Sequence, residues 1–297
     1  MKNRILLTIV LVLLLLTGCG RVEDSLPTIE PLPTETPVLS EAEVAVSTPK
    51  PIRVETVQRR VTGLVVALAF AEDDRLFYAE KQGDLFVKNV DVPDSSPQQI
   101  LQVNVAEGNE NGLLGLALDP KFAENGYFYI YYNVPNENME PIGSRIVRYT
   151  LAESTAVDET ILIELPASPE QGFHFGGGLE VGPDGKLYLI FVDRNMPDAA
   201  RDPAQLPGSV LRYNPDGTIP DDNPFPDSPV YAYGIRNGFG LTWHPTLGLL
   251  YETENGVGCD DELNLILPGA NYGWGVHRYD DCPYPDDTGN PPIYQWE

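Results

Sequence analysis

Only three histidines, three cysteines and three tryptophans occur in the 297 residues. No Gly-x-Ser-x-Gly, His-Glu-x-x-His or Gly-x-x-x-x-Gly-Lys-Ser/Thr pattern is present, so nucleophile-elbow hydrolases, zincins and phosphate-loop NTPases are excluded. Basic residues are also few. Lys and Arg number 19 against 44 Asp and Glu, giving a formal charge of −25. So acidic a chain disfavours nucleic acid and anionic lipid as partners, since both require basic patches. Helical periodicity is weak after residue 56.

One apolar run stands at the start. Lys2 and Arg4 precede Ile5 to Leu16, too short a stretch to span a bilayer as a mature helix. A basic start, a short apolar core and small residues before a cleavage point make residues 1–18 a secretory signal. The ending Leu16-Thr17-Gly18-Cys19 resembles the lipobox of bacterial lipoproteins, which implies lipidation of Cys19 and a membrane anchor on the extracytoplasmic face. Residues 19–55 follow as a tether rich in Pro, Thr and Glu, unable to bury enough surface to offset chain entropy. With Cys19 lipidated, Cys259 and Cys282 form an even pair in an oxidising compartment, and a disulfide between them is expected.

Residues 56–297 repeat themselves. Gly-Leu at 63, 112, 178 and 240 each opens an alternating apolar strand, a polar turn and a second strand rich in Leu, Tyr and Phe. Period-2 hairpins recurring at intervals of 49, 66 and 62 residues are the mark of propeller blades with long loops on one rim. The fold expected is all-β, a β-propeller with about four blades present and a fifth starting near Pro291. The sequence stops in mid-pattern, so a truncated ring is expected.

Three places carry chemistry. His174 precedes Gly176-Gly177-Gly178 on the approach to the hairpin turn Pro183-Asp184-Gly185. A histidine beside a side-chain-free gap suits a general base near a flat ligand, or else caps a blade while the glycines serve packing. Arg236-Asn237 holds the matching position before the fourth repeat, where a guanidinium suits an anionic or quinonoid oxygen, or an ordinary salt bridge. Residues 252–275 concentrate Glu252, Glu254, Asp260, Asp261 and Glu262 around Gly256 and Gly258, either a calcium loop or a solvated acidic one. His244 and His277 read as structural.

The ordered segments GLLGLALDPKFAENGYFYIYY, HFGGGLEVGPDGKLYL, GSVLRYNPDGTIPDDNPF, YGIRNGFGL and DDELNLILPGANYGW resemble the glucose/sorbosone dehydrogenase family, the soluble pyrroloquinoline-quinone (PQQ)-dependent sugar dehydrogenases. The resemblance covers about residues 60–297. It implies a six-bladed propeller, of which this chain would lack the last one to two blades. It implies oxidation of an aldose to its lactone, with an unidentified electron acceptor, PQQ as cofactor and calcium as Lewis acid. His174 matches the family's catalytic base, and Arg236 and Asn237 match its quinone contacts. Glu110 stands where a cofactor-binding Gln is often found. Gly256 and Val257 match the loop whose carbonyls hold the calcium at the cofactor, and Glu262 and Tyr272 match ligands of a second calcium. Phe239 and Gly178 depart from the family's polar residues, and its later basic residues that grip the cofactor have no counterpart here. The alternative is therefore a non-enzymatic, calcium-stabilised propeller that binds a partner at the cell surface.

Overall fold

The structure is a computed structural model that describes residues 54–296 except 55, 59, 93–94, 107, 168–172, 258–260 and 276–288. The leader, the tether, Cys19, Cys259, Cys282 and His277 lie outside the described residues, so the lipidation and disulfide expectations do too.

Among the described residues, sixteen strands form four antiparallel sheets, each a four-stranded meander in chain order. The first blade is β1 (Val65–Phe70), β2 (Arg75–Glu80), β3 (Asp84–Asn89) and β4 (Gln98–Gln102). The second is β5 (Leu113–Leu118), β6 (Tyr127–Pro135), β7 (Pro141–Ala152) and β8 (Thr155–Pro166). The third is β9 (Leu179–Val181), β10 (Leu187–Phe191), β11 (Ser209–Tyr213) and β12 (Val230–Tyr233). The fourth is β13 (Gly238–Trp243), β14 (Leu250–Glu254), β15 (Asp261–Ile266) and β16 (Tyr294–Trp296). Two one-turn helices, α1 (Phe122–Asn125) and α2 (Pro197–Ala200), sit in connections.

Every Gly-Leu repeat marks an innermost strand, as expected for blades. The expected fifth blade is not what the last strand begins. Tyr294–Trp296 pairs with β15, Leu263 opposite Tyr294 and Asp261 opposite Trp296, and so completes the fourth blade. A long connection, residues 267–293, separates these partners, and that distance in sequence disguised the strand as a new start.

The blades are held by three apolar layers between them. Phe77, Leu85, Leu113, Leu116, Phe128 and Ile130 pack between the first two blades. Tyr129, Tyr131, Ile146, Leu179, Leu189 and Leu211 fill the next layer, and Tyr188, Ile190, Val210, Leu241, Leu250 and Ile266 the third. Alternation along each strand sends one set of side chains to each neighbouring blade. In the third blade, flanked on both sides, β10 and β11 are therefore buried along their whole length. A fully buried side chain of this kind stabilises by about 1.5–3 kcal/mol each.

Strand direction defines a rim. Each innermost strand starts there and each second strand ends there, so the loops before β5, β9 and β13 and after β2, β10 and β14 share one end of the sheets. Register shifts mark the starts of β1, β5 and β13 at this rim. Such bulges redirect side chains where a strand enters the sheet.

Candidate functional site

His174 lies on this rim just before β9, 5% exposed and with φ +61°. Gly176 and Gly177 continue the left-handed backbone at φ +66° and +137°. A Cβ at Gly176 would lie 2.6 Å from the Ile190 carbonyl oxygen, and one at Gly177 would lie 2.7 Å from that of Leu114. The glycines thus let the third blade's entry strand press against neighbouring backbone. That is a packing role.

Two blades hold the histidine. Its backbone N–H donates to Glu110 Oε2 at 2.6 Å, from the loop leading into the second blade. Its ring Nδ1 lies 2.6 Å from Asp193 Oδ1. Asp193 follows β10 at the same rim and is fully buried. Its Oδ1 also accepts from the Asn195 N–H at 3.0 Å, and its Oδ2 accepts from the Trp274 indole N–H at 2.7 Å. With a carboxylate as partner, Nδ1 carries the proton and Nε2 presents its lone pair. Nε2 makes no hydrogen bond to any described residue.

Arg236 comes from the loop between β12 and β13. Its carbonyl accepts from the Asp193 N–H at 2.9 Å, and its own N–H donates to Glu254 Oε1 at 2.5 Å. The guanidinium lies 5.3 Å from the Trp274 ring centroid and donates through Nη1 to the carbonyls of Asn255, at 2.8 Å, and Gly256, at 3.0 Å. Asn237 is buried beside it, and its Oδ1 has no hydrogen-bond partner among the described residues. Glu110 is therefore bonded to His174, and Arg236, with Asn237 next to it in sequence, is linked to His174 through Asp193.

The expected calcium residues are placed differently. Gly256 spends its carbonyl on Arg236 and its N–H on Asp261 Oδ1 at 2.9 Å. The Tyr272 hydroxyl donates to the Leu265 carbonyl at 2.5 Å and accepts from the Leu267 N–H at 2.9 Å. Glu262 accepts from Asn264 at 3.1 Å, and the same amide reaches Glu252 at 3.1 Å. Val257 is half-buried in the same loop. Burial, with Glu262 nearby, pushes the Glu252 carboxyl up to about 8. Burial with the charges of Glu252 and Glu262 also raises that of Glu254 well above its ordinary value. Among the described residues no three His, Cys, Asp or Glu side chains converge as a metal cluster.

His244 accepts from the Thr246 and Leu247 N–H groups and serves the β13–β14 turn, as expected. Two rim residues were not singled out from sequence. Asp193 is the first polar residue after the apolar stretch Leu187–Val192 and so stands at a strand end, a signal that was available. Trp274 stood within the quoted segment ending Asn271-Tyr-Gly-Trp274, but its side-chain contacts are set by tertiary structure.

Residues 64–294 match the model of the Glucose / Sorbosone dehydrogenase family. Quinoprotein glucose dehydrogenase B of Acinetobacter calcoaceticus is 34% identical over 253 residues, covering 75% of this chain and 52% of that protein. The PQQ-bound aldose sugar dehydrogenase of Streptomyces coelicolor superposes with a TM-score of 0.71 at 29% identity, covering 82% of this chain and 70% of that one. Human Hedgehog-interacting protein is 30% identical over 235 residues, 67% of this chain and 33% of that protein. The chain spans about half the length of the bacterial curated relatives it matches. With four propeller blades, a histidine–aspartate pair and an arginine on their common rim, the chain belongs to the glucose/sorbosone dehydrogenase family.

Proposed function

We propose that this chain carries the base-bearing rim of a PQQ-dependent aldose dehydrogenase, which oxidises the sugar's anomeric carbon to the lactone. The observation that carries the reading is the His174–Asp193 bond of 2.6 Å beside Arg236. The rim fits the cofactor's chemistry. PQQ is a planar anion, and here a half-buried guanidinium rests on an indole ring next to a base whose Nε2 is unengaged. Arg236 and Asn237 are the residues that would hold it. When bound, PQQ supplies the two-electron acceptor for the hydride that the anomeric carbon gives up.

The chain's own residues supply the rest. Nε2 of His174 takes the proton of the anomeric hydroxyl. Asp193 holds the imidazole in the tautomer that leaves Nε2 free and stabilises the charge that develops on the ring. Glu110 spends Oε2 on the His174 N–H, and a carboxylate is a poor neighbour for an anionic quinone. Its role in this reading is to hold the base, not the cofactor.

Calcium is a separate question of donor chemistry. The Gly256 carbonyl expected to face it accepts from the Arg236 guanidinium, and a dication placed there would face a fixed positive charge. The set does not fit calcium as it stands, and no step is drawn through it.

Export and anchoring belong to the same proposal and rest on Leu16-Thr17-Gly18-Cys19. Fatty-acid labelling and membrane fractionation, both lost in Cys19→Ala, are the expected results.

The test of function is aldose-dependent reduction of an artificial electron-accepting dye by the PQQ-loaded full chain. His174→Gln should lower kcat by about a thousandfold while leaving PQQ affinity unchanged. Equal turnover in the variant would remove His174 as the base. PQQ that binds without any aldose turnover would favour the binding-module alternative.

A further inference from the structure

Trp274 is 7% exposed and belongs to the fourth blade's long connection, yet it works on the third blade. After β15 the chain crosses to the edge of β12. The Tyr233 N–H donates to the Ala270 carbonyl at 3.0 Å, the Tyr272 N–H to that of Tyr233 at 2.9 Å, and the Trp274 N–H to that of Gly234 at 2.9 Å. Asn271 forms a parallel bridge with Tyr233 and turns the following segment by accepting from the Gly273 N–H at 2.9 Å. These bonds carry the indole up to the rim. There its N–H meets Asp193 Oδ2 at 2.7 Å, and its ring lies under Arg236 at 5.3 Å.

We propose that Trp274 is a positioning residue with two separable functions: its indole N–H holds the aspartate that orients the base, and its ring holds the guanidinium that binds the cofactor. The first function needs only the geometry above. The second rests on the proposed PQQ chemistry.

Asp193 is fully buried, so each lone pair left without a donor costs free energy. Its donors are the His174 ring, the Asn195 N–H and the indole N–H. Indole has one donor and cannot accept, so the contact is unambiguous in direction. Losing it would free the Asp193 carboxylate to turn, so that the base is held less firmly, and would concentrate its negative charge beside the His174 ring. Among the described residues, Asp193 bonds that ring and Glu110 its backbone N–H, and the guanidinium of Arg194 lies 4.5 Å from the ring centroid of the neighbouring Phe175. Over the indole, Arg236 is pinned between the ring and two carbonyls, which presets its direction before any anion arrives.

Two variants separate the functions. Trp274→Phe keeps a ring and deletes the N–H; Trp274→Leu deletes both. In the full chain, Trp274→Phe should lower kcat about tenfold or more with PQQ affinity unchanged. In the cofactor-free protein, nuclear magnetic resonance titration should show the His174 ring midpoint moving upward. Trp274→Leu should in addition weaken PQQ binding about threefold to thirtyfold, the range of a cation–π contact. In the unmodified protein the Trp274 indole proton should exchange slowly with deuterium oxide.

Unchanged kcat and an unmoved His174 midpoint in Trp274→Phe would overturn the first function. Unchanged PQQ affinity in Trp274→Leu would overturn the second. Should either variant fail to fold, fast indole exchange in the unmodified protein would still overturn the Asp193 bond. If the unmodified chain binds no PQQ, the dehydrogenase reading fails and the ring's function with it, while the cofactor-free titration still decides the aspartate contact.

Discussion

Asp193 Oδ1 lies 2.6 Å from His174 Nδ1, and the β9–β10 hairpin runs out from one residue and returns to the other. β9 is the shortest strand in its blade, only three residues long. Its length sets the meeting, since a strand pair that leaves a rim must return to it. A chemical pair 19 residues apart in sequence is thus a neighbour pair by construction.

Asp193→Asn keeps the shape of that pair and removes its charge. The amide would favour the other imidazole tautomer and leave the developing imidazolium uncompensated. The expected loss in kcat is about a thousandfold. The PQQ dissociation constant should stay close to that of the unmodified chain. Steady-state turnover with a dye acceptor checks the first outcome, and fluorescence titration checks the second.

Arg236 tests how the anion is held. Arg236→Lys keeps a charge but loses the planar fork that now bonds Asn255 and Gly256 and lies over Trp274. Both Arg236→Lys and Arg236→Ala should weaken PQQ binding, the alanine variant by about tenfold or more. A lysine variant with full affinity would show that charge alone is read.

Stability should fall as pH rises above the ordinary carboxyl range. Glu252 is raised to about 8 by burial, and Glu180, on the innermost strand β9, is raised to about 7 by burial alone. A carboxyl whose folded-state pKa is raised binds more protons folded than unfolded. Its contribution is fully present below about 4.5 and is lost as pH passes through the folded value. The melting temperature should therefore decline between about pH 5 and pH 9. Glu252→Gln should flatten the upper part of that decline and Glu180→Gln the lower. Melts across this range check both. A steeper decline in Glu252→Gln would contradict the sign.

Gly177→Ala should destabilise the fold by about 1–3 kcal/mol, because φ +137° is strained for alanine and the added Cβ would press on the Leu114 carbonyl. Gly185, at φ +71° with open space around it, offers the contrast. Alanine there pays for backbone conformation without a clash and should cost less. Chemical denaturation of the two variants gives the comparison.

Much of the fold was legible because blades repeat. Gly-Leu and period-2 alternation located all four innermost strands. The last strand was misassigned because its partner, β15, is separated from it by the connection 267–293, and pairing across such a gap leaves no local pattern. His174, Arg236 and Asn237 were legible because each occupies the same place before a repeat. What they touch was not. Asp193 and Trp274 come from other turns of the chain, and only closure of blade on blade sets their distances. Gly176 and Gly177 were legible as close approaches, but the neighbour proves to be the Leu114 and Ile190 backbone. Glu110, expected beside the cofactor, bonds the His174 backbone, a contact between blades that no spacing in sequence predicts.

The most direct test is a PQQ titration of the purified full chain, followed by quenching of tryptophan fluorescence, since Trp274 lies against Arg236. Saturable, stoichiometric quenching that is lost in Arg236→Ala is the predicted result. No saturable quenching, in protein shown by its melt to be folded, would contradict the assignment of this rim to a quinone cofactor.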